Sequence, residues 1–579
     1  MEDIDICERT PALTSAEPST RRSYASADEE LVGFDDDARN VIQKLIGGPT
    51  ELDIISIVGM GGIGKTTLAR MLYNNHSTHF DVQVWCTVSE TYNVRELLLE
   101  MLKQIMGDTH VTINDYSIVD VLSKILRTKK YLIVLDDIWE VKVWEELRLS
   151  FPDGGNGSRI MLTTRSAEVA MELKHHSDPY FLSCLSDKQS WELLQKKVFQ
   201  GESCPPELQS VGAEIATLTK GLPLAVTVIA GILSQMERQA SLWLEVAHKL
   251  CPSSLEQQLM GVMQLSYDHL EDHLKPCLLY MGLFPKRYEI PVSDLLKWWI
   301  AEEFVQNIDT LKLEETSRSC LYDLVSRSLV MVSKRRTNGE IKYCTVHDQV
   351  REFCMEKITK EKFMQPLVPY NPRQTSDSDE QRLCMYIHGT MKSNISKEME
   401  SFGQRQRPLE FIAHPKFSIS ESKRRLFPLL NNLRLIRVLH LLDIYLQDSW
   451  AAAFQSLTHL RFLAIFVKAF NINWVSHLLQ LQTLRVRSSY IMISPAIWKM
   501  AKLRHVDINE FSITWEESSE IVLHNLKTLG MCYMSVSDMN PKFWGKFPNL
   551  EELSVHIDEF GNVPHLFSVS HASVNREIR

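Results

Sequence analysis

The chain has 579 residues, 44% of them hydrophobic and 23% charged, and carries a net charge of -10. That length suits roughly three to five domains, and the composition is that of a soluble globular protein able to bury several separate cores. The negative balance disfavours nucleic acid and anionic lipid as bulk partners, although a local basic patch could exist.

Residues 1–30 are polar and rich in Ser, Thr and Glu, and read as a disordered leader. Their acidic start, MEDIDICERT, lacks the apolar core of a secretory signal. The 11 cysteines are scattered without a CxxC pair. That usage argues against zinc, argues more strongly against a disulfide framework, and fits a reducing compartment.

An α/β pattern follows. Asp53–Val58 is an apolar strand leading through a glycine loop into a helix near Lys65. Val82–Val88 alternates like a strand, and Arg95–Ile105 has helical spacing. Tyr131–Leu135 and Arg159–Thr163 are short apolar runs, as buried parallel strands should be. Strands alternating with helices predict a doubly wound parallel sheet. From about Leu185 to Lys360 the spacing turns helical. The longest apolar run, Gly221–Leu233, is shorter than the ~20 residues of a membrane span. Two strand-like runs, LVMVSKRR and EIKYCTVH, are joined by Thr337, Asn338 and Gly339. Asn-Gly between such runs predicts a hairpin, because both residues can take positive φ. Helices followed by one hairpin suggest a winged helix. Lys334, Arg335 and Arg336 read as a solvated hairpin face, with a nucleic-acid contact or import signal as the alternative. Residues 361–430 are the least legible, and Pro369–Gln381 reads as a polar linker.

Beyond them the pattern LxxLxxLxL recurs, with aliphatic substitutions. It starts at Leu433, Leu457, Leu478, Met500, Leu523 and Phe547, spacings of 21 to 24 residues. That period lies inside the range of about 20–29 for leucine-rich repeats, whose stacked units form a curved solenoid. The alternative is a set of amphipathic helices with leucines three apart. The usual Asn of the repeat turn is missing from most units, and Ser568–Arg579 shows no capping unit.

The chemistry concentrates in Gly59-Met-Gly-Gly-Ile-Gly-Lys65-Thr66, which fits GxxxxGK[ST] between a strand and a helix. Gly59, Gly61, Gly62 and Gly64 let backbone N–H groups turn around phosphate oxygens. The helix start, with Lys65, Thr66 and Thr67, adds free donors and partial positive charge. Lys65 is expected on the β/γ-phosphates and the Thr66 hydroxyl on Mg²⁺. A second metal carboxylate is needed at the end of a neighbouring strand, and YLIVLDDIW supplies Asp136. Asp137 is placed to orient or deprotonate an attacking water, or else caps a turn. Arg165 ends the strand GSRIMLTTR. It reads equally as a γ-phosphate sensor and as a surface ion pair.

These motifs, in this order, resemble the NB-ARC domain of plant disease-resistance proteins over about residues 31–360, with the repeats continuing to about 560. Val32–Asp36 (VGFDD) resembles the segment that packs on adenine, which would place Val32 there. Gly221–Val226 (GLPLAV) resembles the box whose proline, here Pro223, lies against the base. Phe80–Ser89, Tyr180–Leu194, Cys277–Ile290 and Trp298–Phe304 follow in family order. Trp139 favours the coiled-coil subclass over the TIR subclass, and the wording is closest to late-blight-type resistance proteins. The family's MHD motif reads Val346-His347-Asp348 here. The resemblance implies that His347 contacts the ADP β-phosphate, a role that a lone His-Asp pair would not by itself suggest. Only about 30 residues precede the match and they show no heptads, so the coiled-coil signalling domain is expected to be missing.

The resemblance therefore implies a multidomain α/β plus α protein. Its expected parts are a P-loop core (31–180), a helical domain (181–265), a winged-helix domain (266–360), a linker and repeat entry (361–430) and a repeat solenoid (431–579). It implies an ADP/ATP-dependent switch with Mg²⁺, slow in hydrolysis, and cytoplasmic or peripherally membrane-associated with no membrane span. A pathogen effector or guarded host protein would bind the repeats, and self-association would accompany activation, with no nucleic-acid partner. The alternatives are a truncated decoy or regulatory module and a fast-turnover P-loop ATPase.

Overall fold

The computed structural model describes residues 32–88, 92–107, 118–250, 254–306, 312–367, 382–387, 409–413, 436–446, 454–467, 473–488, 491–493, 495–508, 511–513, 522–534, 541–557 and 565–569. The leader, Leu433 and most of the expected linker lie outside them.

The first unit alternates helices and strands. They are α1 (Asp35–Gly47), β1 (Asp53–Val58), α2 (Lys65–Asn75), β2 (Val82–Thr87), α3 (Val94–Met106), α4 (Ile118–Leu126) and β3 (Tyr131–Ile138). Then come α5 (Val141–Leu147), β4 (Arg159–Thr164), α6 (Ala167–Glu172) and β5 (Tyr180–Phe181). The strands form one parallel sheet in the order β2-β3-β4-β1-β5. Both faces are covered, which is why the strands read as unbroken apolar runs. Ile55, Ile57, Leu132, Val134 and Met161 pack with α1 and α2 on one face. Their neighbours Ile54, Ile133, Leu135, Ile160 and Leu162 pack with α3 and α4 on the other, following the two-residue strand period.

The second unit is helical: α7 (Asp187–Phe199), α8 (Pro206–Leu218), α9 (Pro223–Leu233), α10 (Ala240–Lys249) and α11 (Leu255–Asp268). Local chemistry sets their starts. Ser186 and Ser254 form capping boxes with Gln189 and Gln257, and prolines open α8 and α9, where the missing N–H costs nothing. A winged-helix unit follows with α12 (Leu274–Gly282), β6 (Ile290–Pro291), α13 (Val292–Ala301), α14 (Leu313–Ser326), β7 (Met331–Arg335), β8 (Ile341–Thr345) and α15 (Asp348–Lys360). Its sheet has the order β6-β8-β7.

The expected β7–β8 hairpin is present, and only one of the two permissive residues uses its freedom. Gly339 takes φ +85°, whereas Asn338 is not among the residues with positive φ. Gly339 N donates to Arg336 O at 3.0 Å, and Arg336 N donates to Glu340 O at 2.8 Å. This is the three-residue loop closed by a left-handed glycine, which needs only one residue at positive φ. In the basic cluster, Lys334 pairs with Glu289 at 3.0 Å and Arg335 donates to Gly339 O.

The repeats form a parallel sheet, which removes the amphipathic-helix alternative. Its strands are β9 (Met364–Leu367), β10 (Arg382–Ile387), β11 (Leu409–Ala413), β12 (Val438–Leu446), β13 (Phe462–Val467) and β14 (Thr483–Arg487). They continue with β15 (Ile491–Ile493), β16 (His505–Ile508), β17 (Phe511–Ile513), β18 (Thr528–Met534) and β19 (Glu552–Ile557), and β20 (His565–Val569) closes the series. In three of the units the apolar residues two apart are strand residues facing inward: Leu463 and Ile465, Leu484 and Val486, and Val506 and Ile508 are fully buried. The strands β9, β10 and β11 lie within the stretch expected to hold a linker and the entry to the repeats. Their short strands carry too little alternation to stand out, and pairing with β12 extends the sheet through them. At the other end β20 pairs antiparallel with β19. Among the described residues no helix is long and apolar enough to cross a membrane.

Candidate nucleotide site

The site lies at the carboxyl ends of β1, β3 and β4, where open α/β sheets bind ligands. The loop after β1 runs into α2 through Gly62 at φ +82° and Gly64 at φ +103°, conformations a side chain would strain. A Cβ at Gly64 would also come within 2.6 Å of the Phe34 ring. The first bond within α2 is Leu68 N to Gly64 O at 2.9 Å. The amides of Lys65, Thr66 and Thr67 therefore precede the helical ladder and are the donors a phosphate would meet. The Thr67 side chain is exposed. Lys65 Nζ donates to the carbonyls of Gly59 at 2.6 Å and Met60 at 2.9 Å. Burial, with Arg165 nearby, brings its ammonium down to about 8.

Because β4 lies between β1 and β3, Thr163 stands next to Asp136. Asp136 Oδ1 accepts from Thr66 Oγ1 at 3.0 Å and from Thr163 Oγ1 at 2.5 Å. In a regular strand Asp136 and Asp137 would face opposite sides. Here the β3–β4 register shifts between Leu135 and Ile138, and Asp137 takes φ +66°. This bulge turns both carboxylates toward one place. Asp137 N donates to Thr163 Oγ1 at 2.8 Å, which holds the bulge. Burial raises the Asp137 pKa against the opposing pull of Arg287 and Arg165.

The other wall comes from the helical and winged-helix units. Leu224, next to Pro223 at the start of α9, donates its N–H to Gly62 O at 3.2 Å. Val32 is buried in the same apolar cluster as Leu222 and Leu193. His347 caps α15, its Nδ1 accepting from Gln349 N at 3.1 Å. Burial lowers the His347 pKa to about 4, so the ring is neutral at pH 7 and carries its proton on Nε2. Gln349 crosses to the phosphate loop, where a Cβ on Gly61 would meet its side chain at 2.7 Å.

Arg165 sits inside this interface. It reaches Asp137 and Asp348 at 3.9 Å and Glu352 at 3.3 Å, and lies over the Trp139 ring. Sequence reasoning missed Arg287, which lies between α12 and β6. Its guanidinium contacts Asp136 at 2.7 Å, Asp137 at 3.5 Å and Asp348 at 3.4 Å. Lys286 pairs with Glu352 and lies over Trp139. The only signal available in the sequence was two adjacent cations, because Asp136 is 151 residues away.

A carboxylate and two hydroxyls, all oxygen, meet at Asp136. Such a donor set fits a magnesium ion shared with nucleotide phosphates and water.

A family model described as NB-ARC domain matches residues 34–204, and one described as disease resistance protein winged helix domain matches residues 283–354. The chain therefore carries an NB-ARC domain followed by a disease-resistance winged-helix domain. Over 557 residues it is 34% identical to late blight resistance protein R1-A of Solanum demissum, covering 92% of this chain and 42% of that protein. Over 553 residues it is 35% identical to the late blight resistance protein homolog R1B-12 of the same plant, covering 92% and 40%. The chain thus spans about two fifths of the length of the curated relatives it matches. Among solved structures, a signal transduction ATPase with numerous domains from Pyrococcus horikoshii is similar at 17% identity, with a TM-score of 0.38. That match covers 58% of this chain and 44% of the other.

Proposed function

We propose that this NB-ARC homologue is an ADP/ATP-dependent switch of plant innate immunity. The observation that carries the reading is the meeting of three units at one phosphate loop, through Leu224 on Gly62, Gln349 on Gly61 and Arg287 on Asp136. A nucleotide bound there would touch groups from units that could otherwise separate, so its phosphate count can bias their arrangement. Loop amides and Lys65 bind the phosphates, Val32 and Pro223 flank the base, and neutral His347 donates from Nε2. Thr66 and Asp136 would hold Mg²⁺, which supplies charge neutralisation at the phosphates. The raised pKa of Asp137 suits a group that accepts a proton from water. Arg165, held by three carboxylates, is placed to exchange them for a γ-phosphate. The parallel sheet of 21–24-residue units supports a leucine-rich-repeat sensor that binds a pathogen effector or guarded host protein. Recognition then favours the ATP form and a defence response.

The test is Lys65→Arg in the purified chain. The guanidinium fork cannot take the place of an ammonium held by two loop carbonyls, so bound ADP should fall at least tenfold. Undiminished ADP would refute the site. A steady-state ATPase assay separates a slow switch from a fast-turnover ATPase.

A further inference from the structure

Arg287 is unusual in three respects. It takes φ +59°, a left-handed conformation that a non-glycine residue adopts at a cost. Asp137, which it contacts, takes φ +66° and carries the same kind of strain. Its guanidinium spans carboxylates of two units, Asp136 and Asp137 of the α/β core and Asp348 of the winged helix. Two strained residues facing each other across an interface point to an arrangement held for function.

The contact also takes a particular atom. Asp136 Oδ1 is shared by the hydroxyls of Thr66 and Thr163, and Oδ2 accepts from Arg287 Nη1 at 2.7 Å. A divalent ion on Asp136 would draw on the same carboxylate charge and would repel the guanidinium. We infer that Arg287 competes with the divalent ion for Asp136, so that metal binding and winged-helix docking oppose each other. This rests on the reading of Thr66 and Asp136 as the metal site. Linkage makes the effect reciprocal: docking weakens the ion by the same factor by which the ion weakens docking. Arg287 is in this sense a residue of the winged helix that sets metal affinity at the core. Lys286, held by Glu352 and over Trp139, anchors its loop beside the site.

The experiment measures the Kd of a fluorescent ADP for the full chain in EDTA and in Mg²⁺, and takes the ratio of the two. Wild type should show a small metal enhancement. Arg287→Gln, which keeps polarity and loses the charge, should raise the ratio roughly tenfold, within the range of measured couplings. Arg287→Lys should stay within a few-fold of wild type. An equal ratio in wild type and Arg287→Gln, with ADP bound by both, overturns the competition and leaves the nucleotide reading standing. No ADP binding by wild type in either buffer removes both. Hydrogen exchange on ADP-loaded wild type gives a second readout that needs no variant. Amides of residues 283–290 should exchange faster when Mg²⁺ is added, and unchanged exchange also overturns the inference.

Discussion

The winged-helix unit has two docked faces, and they are built differently. Toward the phosphate loop the contacts are polar: Arg287 on Asp136 and Asp137, Arg165 on Asp348 and Glu352, and Gln349 against Gly61. The two apolar clusters of the α/β core end before this face, apart from a fringe at Val32 and Met60. Toward the repeat sheet, charge is added to a shared apolar core. Trp298 packs on Phe284 within its own unit and on His440 and Phe462 of the repeats. One cluster runs from the helical unit through the winged helix into Val438, Leu442, Phe462 and Ala464. Around it Arg485 holds Asp294 at 2.9 Å, Arg461 holds Glu303 at 2.6 Å, and Arg504 holds Glu314 with two bonds of 2.7 Å. A charged ligand can take over an ion pair partner for partner, whereas buried apolar area can only be lost to water. If the proposed switch opens, the parting line should therefore lie at the phosphate loop, with the winged helix and the first repeats staying together.

The largest expected effect tests the apolar face. Trp298→Ala should cost about 3–5 kcal/mol, as for other buried aromatics, read as a lower urea midpoint. A loss below about 1 kcal/mol would mean that the two units do not share a core. Acid comes next and strikes both faces. Burial lowers the pKa of His347 at the first face, and of His440 and His505 at the second, to about 4. The unfolded chain takes up those protons near its ordinary value of 6.5 while the folded chain does not. Stability should thus be full above pH 6.5 and fall as the pH drops toward 4. His440→Gln should flatten that fall in a urea midpoint against pH series, and an unchanged slope would remove His440 from the account. The smallest effects separate buried pairs from exposed ones. Arg485→Ala strands the buried Asp294 carboxylate and should cost about 2 kcal/mol. Lys312→Ala, removing an exposed pair with Glu551, should cost under about 0.5 kcal/mol. Equal losses from the two would erase the distinction.

The phosphate loop, Asp136, the parallel strands and the inward leucines were legible because each is a local pattern. Glycine spacing, an apolar run ending in aspartate, and a fixed repeat period state what the nearby backbone must do. Asn-Gly announced the hairpin but left its turn type open, because the pair suits two loop lengths and strand pairing selects between them. The strands β9 to β11, inside the expected entry to the repeats, were not placed one by one because a short strand becomes recognisable only beside its partner.

Sequence by itself determined that a nucleotide-type loop, a helical stretch, a hairpin-bearing unit and a leucine repeat follow one another. Tertiary structure decided that the third of these reaches back to the first. The bulge that turns Asp137 beside Asp136 is held by Thr163, 26 residues from Asp137, and the arginine that meets both lies 151 positions from Asp136. No local pattern encodes such a contact, because electrostatic partners are chosen by proximity in space, and only the packed units bring these together.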